Sequence, residues 1–155
     1  AALGDWFLAF PGRKAFVAGL IAFLLAHLAL SYLFAQGQDS EWAASPLFFA
    51  GTLLVFVFTM VTFQRLRPHL GAMRLPVAAY CGVIAAMTVA AWARGPDPLL
   101  LAGVILFVVS DTILAFETFV IVPQSAHRRW TAPAIWFTYL FAQTAILASL
   151  ALVTG

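Results

Sequence analysis

Apolar residues dominate five stretches of the chain, 15–35, 46–63, 75–93, 99–122 and 132–153, and polar residues gather between them. Each stretch approaches the roughly 20 apolar residues that carry an α-helix across a hydrocarbon core about 30 Å thick. The separators are rich in helix breakers: Pro11-Gly12, 37–45, 68–71, Gly95-Pro96-Asp97-Pro98 and 123–130. Such short separators suit hairpin connections and leave no room for a soluble domain. Residues 1–10 read as the end of an earlier apolar helix, so further spans are expected upstream. The predicted fold is all-α: one polytopic transmembrane helical bundle over 1–155, with five complete spans plus a partial N-terminal helix. Prolines stay near span ends, without the interrupted helices that midplane binding sites of transporters commonly use.

Charge supports the same span count. Arg13, Lys14, Arg65, Arg67, Arg74, Arg128 and Arg129, seven of the eight Lys and Arg, fall in alternate connections. The intervening connections carry Asp39, Glu41, Arg94 and Asp97. Adding or removing one span would scramble this alternation, and the positive-inside rule places the basic loops in the cytoplasm of a bacterial inner membrane. Trp6, Trp42, Trp92 and Trp130 fall near predicted span ends, where interfacial indoles belong.

Composition sharpens this picture. Of 155 residues, 64% are hydrophobic and 9% charged, a balance that water cannot solvate in a chain this short. The formal charge of +2 does not indicate nucleic acid, because the cations are scattered among loops rather than interleaved with exposed aromatics. Cys81 is the single cysteine, so no intrachain disulfide forms. His69 and His127 lie in loops without ligand spacing, and no metal or cofactor is expected. Small residues recur every four positions at Ala78, Gly82, Ala86 and Ala90, and at Ala18, Ala22 and Ala26, as close helix packing in lipid requires.

Against this background a few polar side chains stand out. Asp111 lies near the midplane of the fourth span, with about 16–18 Å of helix on either side and Ser110 beside it, and even the lowest insertion scale charges about 2.5–3.5 kcal/mol for an aspartate there. It is therefore expected to face the bundle interior. His27 and Ser31 share one face of the first span, Tyr139 and Gln143 repeat that spacing on the fifth, and Tyr80 and Met87 lie seven apart on the third. Stripes facing a common axis satisfy one another where hydrocarbon offers no partners. Glu117 sits one to two turns from the span end, where it can reach water or pair with Arg128 or Arg129, and reads as a solvated end residue; the depth of Asp5 in the partial first helix is open.

These residues, in this order, resemble the lysoplasmalogenase (YhhN-like) membrane family. The matching blocks are Gly4-Asp5 with Leu8; Gly19, Phe23, Ala26 and His27; Tyr80 with Met87; Ser110-Asp111 with Leu114, Ala115 and Phe119; and Tyr139 with Ala142 and Gln143. The chain departs from the family pattern at Leu30, where an aromatic is usual, and shows no N-terminal Lys-Pro element. The resemblance implies hydrolysis of the vinyl ether bond of lysoplasmalogens, with a lysophospholipid as substrate and no cofactor. It also implies Asp111 and Asp5 as the catalytic carboxyls, with His27, Tyr80, Ser110, Tyr139 and Gln143 around the substrate. A different class remains open from the residues themselves: a proton-coupled carrier or channel with Asp111 and His27 as relay.

Overall fold

The computed structural model describes residues 13–122 and 124–154. Helix α1 spans Arg13–Ala35, a short α2 Ser40–Ala43, α3 Pro46–Leu66, α4 Arg74–Trp92, α5 Pro98–Phe119 and α6 Arg128–Thr154. Two turns of 3₁₀ helix, Arg67–His69 and Gly71–Met73, join α3 to α4. No strand occurs among the described residues. Five of the helices are long and apolar enough to cross a membrane, the number read from the sequence. The expected partial helix at 1–10 lies outside the described residues.

Local chemistry sets the helix starts. Asp97 accepts hydrogen bonds from the Leu99 and Leu100 amides, at 2.9 and 3.1 Å, and Pro98 occupies the first helical position of α5. Ser45 and Pro46 begin α3 in the same way, with the Phe48 amide donating to Ser45 Oγ at 3.1 Å. Such caps satisfy amide donors that a helix start otherwise leaves bare. Gly95, at φ +101°, makes the turn between α4 and α5 in a conformation that side chains disfavour.

Two ends differ from the hydropathy reading. Helix α5 stops at Phe119 rather than continuing to 122, and the Val120 and Ile121 amides both donate to the Phe116 carbonyl. The proline at 123 disfavours helical geometry in the residue before it, which hydropathy does not register. Helix α6 begins at Arg128 rather than 132, with Pro133 inside it. Pro133 is the sixth residue of α6, past the first turn where the amides are unpaired in any case, so it removes the one amide that would pair with the Arg129 carbonyl.

The exterior is apolar in the manner of a lipid-facing surface. Leu25, Phe49, Leu53, Phe137, Leu147 and Leu152 are all exposed. Buried polar residues include His27, Ser110, Asp111 and Ser149. This inversion is what hydrocarbon selects, since polar groups there must find partners inside the protein.

Packing is tightest between α5 and α6. A Cβ on Gly103 would lie 2.8 Å from Ile146 Cγ1 and 3.0 Å from the Ala142 carbonyl oxygen, so only glycine permits this approach. Phe34, Met87, Ala91, Leu100, Val104, Phe107, Ala142 and Ile146 form one core, and Leu66, Leu70 and Val77 form a second nearer the basic loops. At the opposite end, Trp42 Nε1 donates to the Trp92 carbonyl at 2.7 Å, Trp92 Nε1 to the Phe48 carbonyl at 3.2 Å, and Ser149 Oγ to Asp97. These contacts tie both ends of the bundle and leave a polar cluster between the two cores.

Candidate active site

His27 is fully buried on α1, and its Nδ1 lies 2.7 Å from the Phe23 carbonyl oxygen one turn earlier. A carbonyl only accepts, so Nδ1 carries a hydrogen and Nε2 is left to face the bundle. Nε2 points at Asp111 Oδ2 on α5 at 3.3 Å. The approach is close enough for an ion pair but lacks hydrogen-bond alignment, and Nε2 has no other hydrogen-bond partner among the described residues. Tyr80 on α4 donates its hydroxyl to the same Oδ2 at 2.8 Å. One carboxylate oxygen thus receives a phenol and faces an imidazole nitrogen, each from a different helix.

Aromatic rings hold this cluster in place. Phe107, one turn before Asp111, meets the His27 ring edge to face at 4.8 Å, and Tyr80 meets it at 5.4 Å. Tyr139 on α6 packs against Phe107 at 5.6 Å and against Phe23 at 6.2 Å. The imidazole therefore sits in a low-dielectric cage, where its interaction with a carboxyl is stronger than in water. Sequence reading passed over Phe107 as one of many apolar residues, although its i, i+4 relation to Asp111 places both on one face.

The other sequence candidates fall elsewhere. Ser110 is buried, and its hydroxyl donates to the Ile135 carbonyl at 3.1 Å, joining α5 to α6 instead of reaching the carboxyl. Gln143 lines a separate hollow with Ala26, Ala29, Leu30 and Leu33. Asp5 lies outside the described residues. Glu117 accepts from Arg128 Nη2 at 3.2 Å with its side chain largely buried, so of the two outcomes open at the span end it is paired rather than solvated.

Asp111 and Tyr80 also line a cavity of about 410 Å³ formed by α1, α3, α4 and α5. Its remaining lining is almost wholly apolar, and several hydroxyls are occupied locally: Thr59 donates to Val55, Thr88 to Ile84 and Thr112 to Val108. Leu54 and Phe58 of α3 and Ile105 and Val109 of α5 line the cavity and are exposed on the lipid-facing surface. The mouth therefore opens sideways between α3 and α5. No group of three or more metal-ligating side chains occurs among the described residues. His27 is absent from the cavity lining, so it backs the carboxyl while Asp111 and Tyr80 meet the cavity.

Fold and cluster define a class: an integral membrane protein of the helical bundle type, with a carboxyl, an imidazole and a phenol converging beside an apolar chamber. The chain belongs to the YhhN family, whose sequence model matches residues 1–150. It is 33% identical over 156 residues to proteins named lysoplasmalogenase in Mycobacterium bovis and Mycobacterium tuberculosis. It is 36% identical over 154 residues to the human lysoplasmalogenase TMEM86B. Each alignment covers 96% of this chain but only 56% of the mycobacterial proteins and 59% of the human one, so the chain spans little more than half their length. No solved structure matches it.

Proposed function

We propose that this protein hydrolyses the vinyl ether bond of lysoplasmalogens within the membrane, releasing a fatty aldehyde and a glycerophospho-alcohol. The observation that carries this reading is a buried carboxyl, braced by imidazole and phenol, at the wall of an apolar cavity open toward lipid. The lysoplasmalogenase names of its relatives support the same substrate class.

The chemistry is acid catalysis. Asp111 delivers a proton to the alkenyl carbon remote from the ether oxygen, leaving an oxocarbenium ion across the carbon and oxygen of the ether. Water adds to that carbon and loses a proton, giving a hemiacetal whose C–O bond breaks to yield aldehyde and alcohol. The sum is one water consumed per bond cleaved. Proton transfer from a positioned side chain contributes about 10²–10⁴-fold, and paired carboxyls around a comparable cation serve glycoside hydrolysis. His27 stands behind Asp111, where it holds or returns the proton, and Tyr80 fixes the carboxyl rotamer. Asp5 is proposed as the second carboxyl, which receives the proton of the attacking water.

Incubating the purified protein with a lysoplasmenyl lipid and measuring fatty aldehyde tests the reading. Wild type releases aldehyde, and Asp111→Asn is expected to release it about 10²–10⁴-fold more slowly. Full activity in Asp111→Asn removes that residue from the mechanism, and full activity in Asp5→Asn does the same for the second carboxyl.

A further inference from the structure

The site does not sit at the midplane that a fourth span of 99–122 implies, because α5 ends at Phe119. Asp111 is eight residues from Phe119 and thirteen from Pro98, which at 1.5 Å per residue is about 12 Å and about 20 Å. Tyr80 lies six residues into α4, about 9 Å from Arg74. Both therefore stand nearer the face that carries Arg65, Arg67 and Arg74. The cavity extends from them toward the opposite face along Ala85 and Thr88, about 8 and 12 Å beyond Tyr80 on the same helix.

One turn past Thr88, at Trp92, helices α3 and α4 come close together. The Trp92 ring occupies the place where a side chain at Gly51 would go, with its Nε1 2.5 Å from that Cβ position, and its indole hydrogen bonds to the Phe48 carbonyl. Helices α3 and α4 are thereby wedged together at this end. The cavity thus has one polar point and two apolar arms, one toward the basic loops along Leu66, Val77 and Phe119 and a second directed away from them, open to the side between α3 and α5.

We infer that this second arm takes the substrate's single unbranched hydrocarbon chain, directed from Asp111 toward Trp92 with the phosphate toward the basic face, and that Ala85 and Thr88 set the longest chain accepted. The inference rests on the proposed hydrolase reading for its substrate. Its physical basis is independent. A methylene chain gains by filling apolar space and has no partner among the cations, whereas a phosphate is held by arginine and excluded from the arm. The arm's apolar walls offer no fixed donor that would distinguish one chain atom from the next, so length, not functional groups, is what it measures.

Two variants, assayed with octenyl and hexadecenyl lysoplasmalogens, test the direction. Ala85→Phe fills the arm, and Thr62→Phe fills the cavity on the basic side of the site. Ala85→Phe is expected to lower kcat/KM for the hexadecenyl substrate by about tenfold or more while sparing the octenyl one, which also certifies the fold. Thr62→Phe is expected to affect both chain lengths alike. Chain-length discrimination by Thr62→Phe and not by Ala85→Phe overturns the direction, and loss on both substrates in Ala85→Phe and in the smaller Ala85→Leu overturns the arm. A lysophospholipid carrying a photoreactive group at the chain end provides a readout without turnover, with crosslinks expected on residues 84–92. Crosslinks confined to 62–70 overturn the inference. A wild type that cleaves neither substrate yet crosslinks at 84–92 defeats the hydrolase reading and leaves the arm standing.

Discussion

At the scale of single residues, the arrangement turns on one oxygen. Asp111 Oδ2 receives the Tyr80 hydroxyl and faces His27 Nε2, so each partner has a separable contribution. Asp111→Asn keeps the shape and removes the proton donor, and the expected loss of turnover is about 10²–10⁴-fold, read as aldehyde release. Tyr80→Phe removes a hydrogen bond to the oxygen on which negative charge develops as the proton leaves, worth about 1.5–3 kcal/mol, so kcat/KM is expected to fall about 10- to 100-fold with the thermal transition in detergent little moved. Loss of the folded state in Tyr80→Phe would instead assign the phenol to packing. The sequence had already singled out Asp111, His27 and Tyr80, because a polar side chain in a hydrocarbon span demands an explanation. It did not show that Ser110 turns to the Ile135 carbonyl, or that Gln143 occupies a different hollow from Asp111. Spacing fixes the face of a helix on which a residue lies, whereas the neighbour it meets depends on how helices distant in sequence are placed.

At the scale of elements, α5 is the helix on which the site depends. It carries Asp111 and Phe107, packs on α6 through Gly103, and is capped by Asp97. Gly103→Leu would drive a side chain into the Ile146 and Ala142 backbone; overpacking of this kind costs about 1–3 kcal/mol or more, and a lowered transition temperature in detergent is the expected sign. The Ser149 hydroxyl, with help from the Leu100 and Leu99 amides and Arg94, holds the Asp97 carboxyl below the usual carboxylate range. A group depressed in the folded state contributes stability that is complete above its unfolded pKa, about 3.9, and is lost as pH falls through the folded value. Asp97→Asn keeps a capping oxygen and loses the charge. The transition temperature gap between wild type and Asp97→Asn is therefore expected to be open at neutral pH and to close as pH falls below about 4. A gap unchanged down that range would show that charge plays no part.

At the scale of the whole molecule, the two tied ends and the loose contact of α3 with α5 explain why a cavity exists where it does. Trp42, Trp92 and Arg94 lace one face, the second core and the Phe16–Phe119 ring contact at 5.7 Å close the other, and the lateral mouth lies between. We propose that the basic loops face the cytoplasm. With Cys81 replaced by alanine, His69→Cys is expected to react with a membrane-impermeant thiol reagent from the cytoplasmic side and Glu41→Cys from the opposite side; the reverse pattern would refute that orientation.

What the sequence by itself determined is the solvent and the repertoire. Five apolar runs, loop charges of alternating kind and a carboxyl in a span specify a helical membrane bundle with a buried polar residue, because hydrocarbon allows the backbone few other solutions. What only the tertiary structure decided is convergence. That Tyr80 and His27 address the same oxygen, that Phe107 walls the imidazole, and that the carboxyl opens on a chamber between α1, α3, α4 and α5 all follow from the angles and offsets of helix packing. Those are fixed by contacts such as Gly103 on Ile146 and Trp92 on Gly51, where a missing side chain matters only because of what lies across from it. Hydropathy records how much each residue avoids water, and in a bilayer that quantity is nearly the same for every apolar neighbour a helix could have chosen.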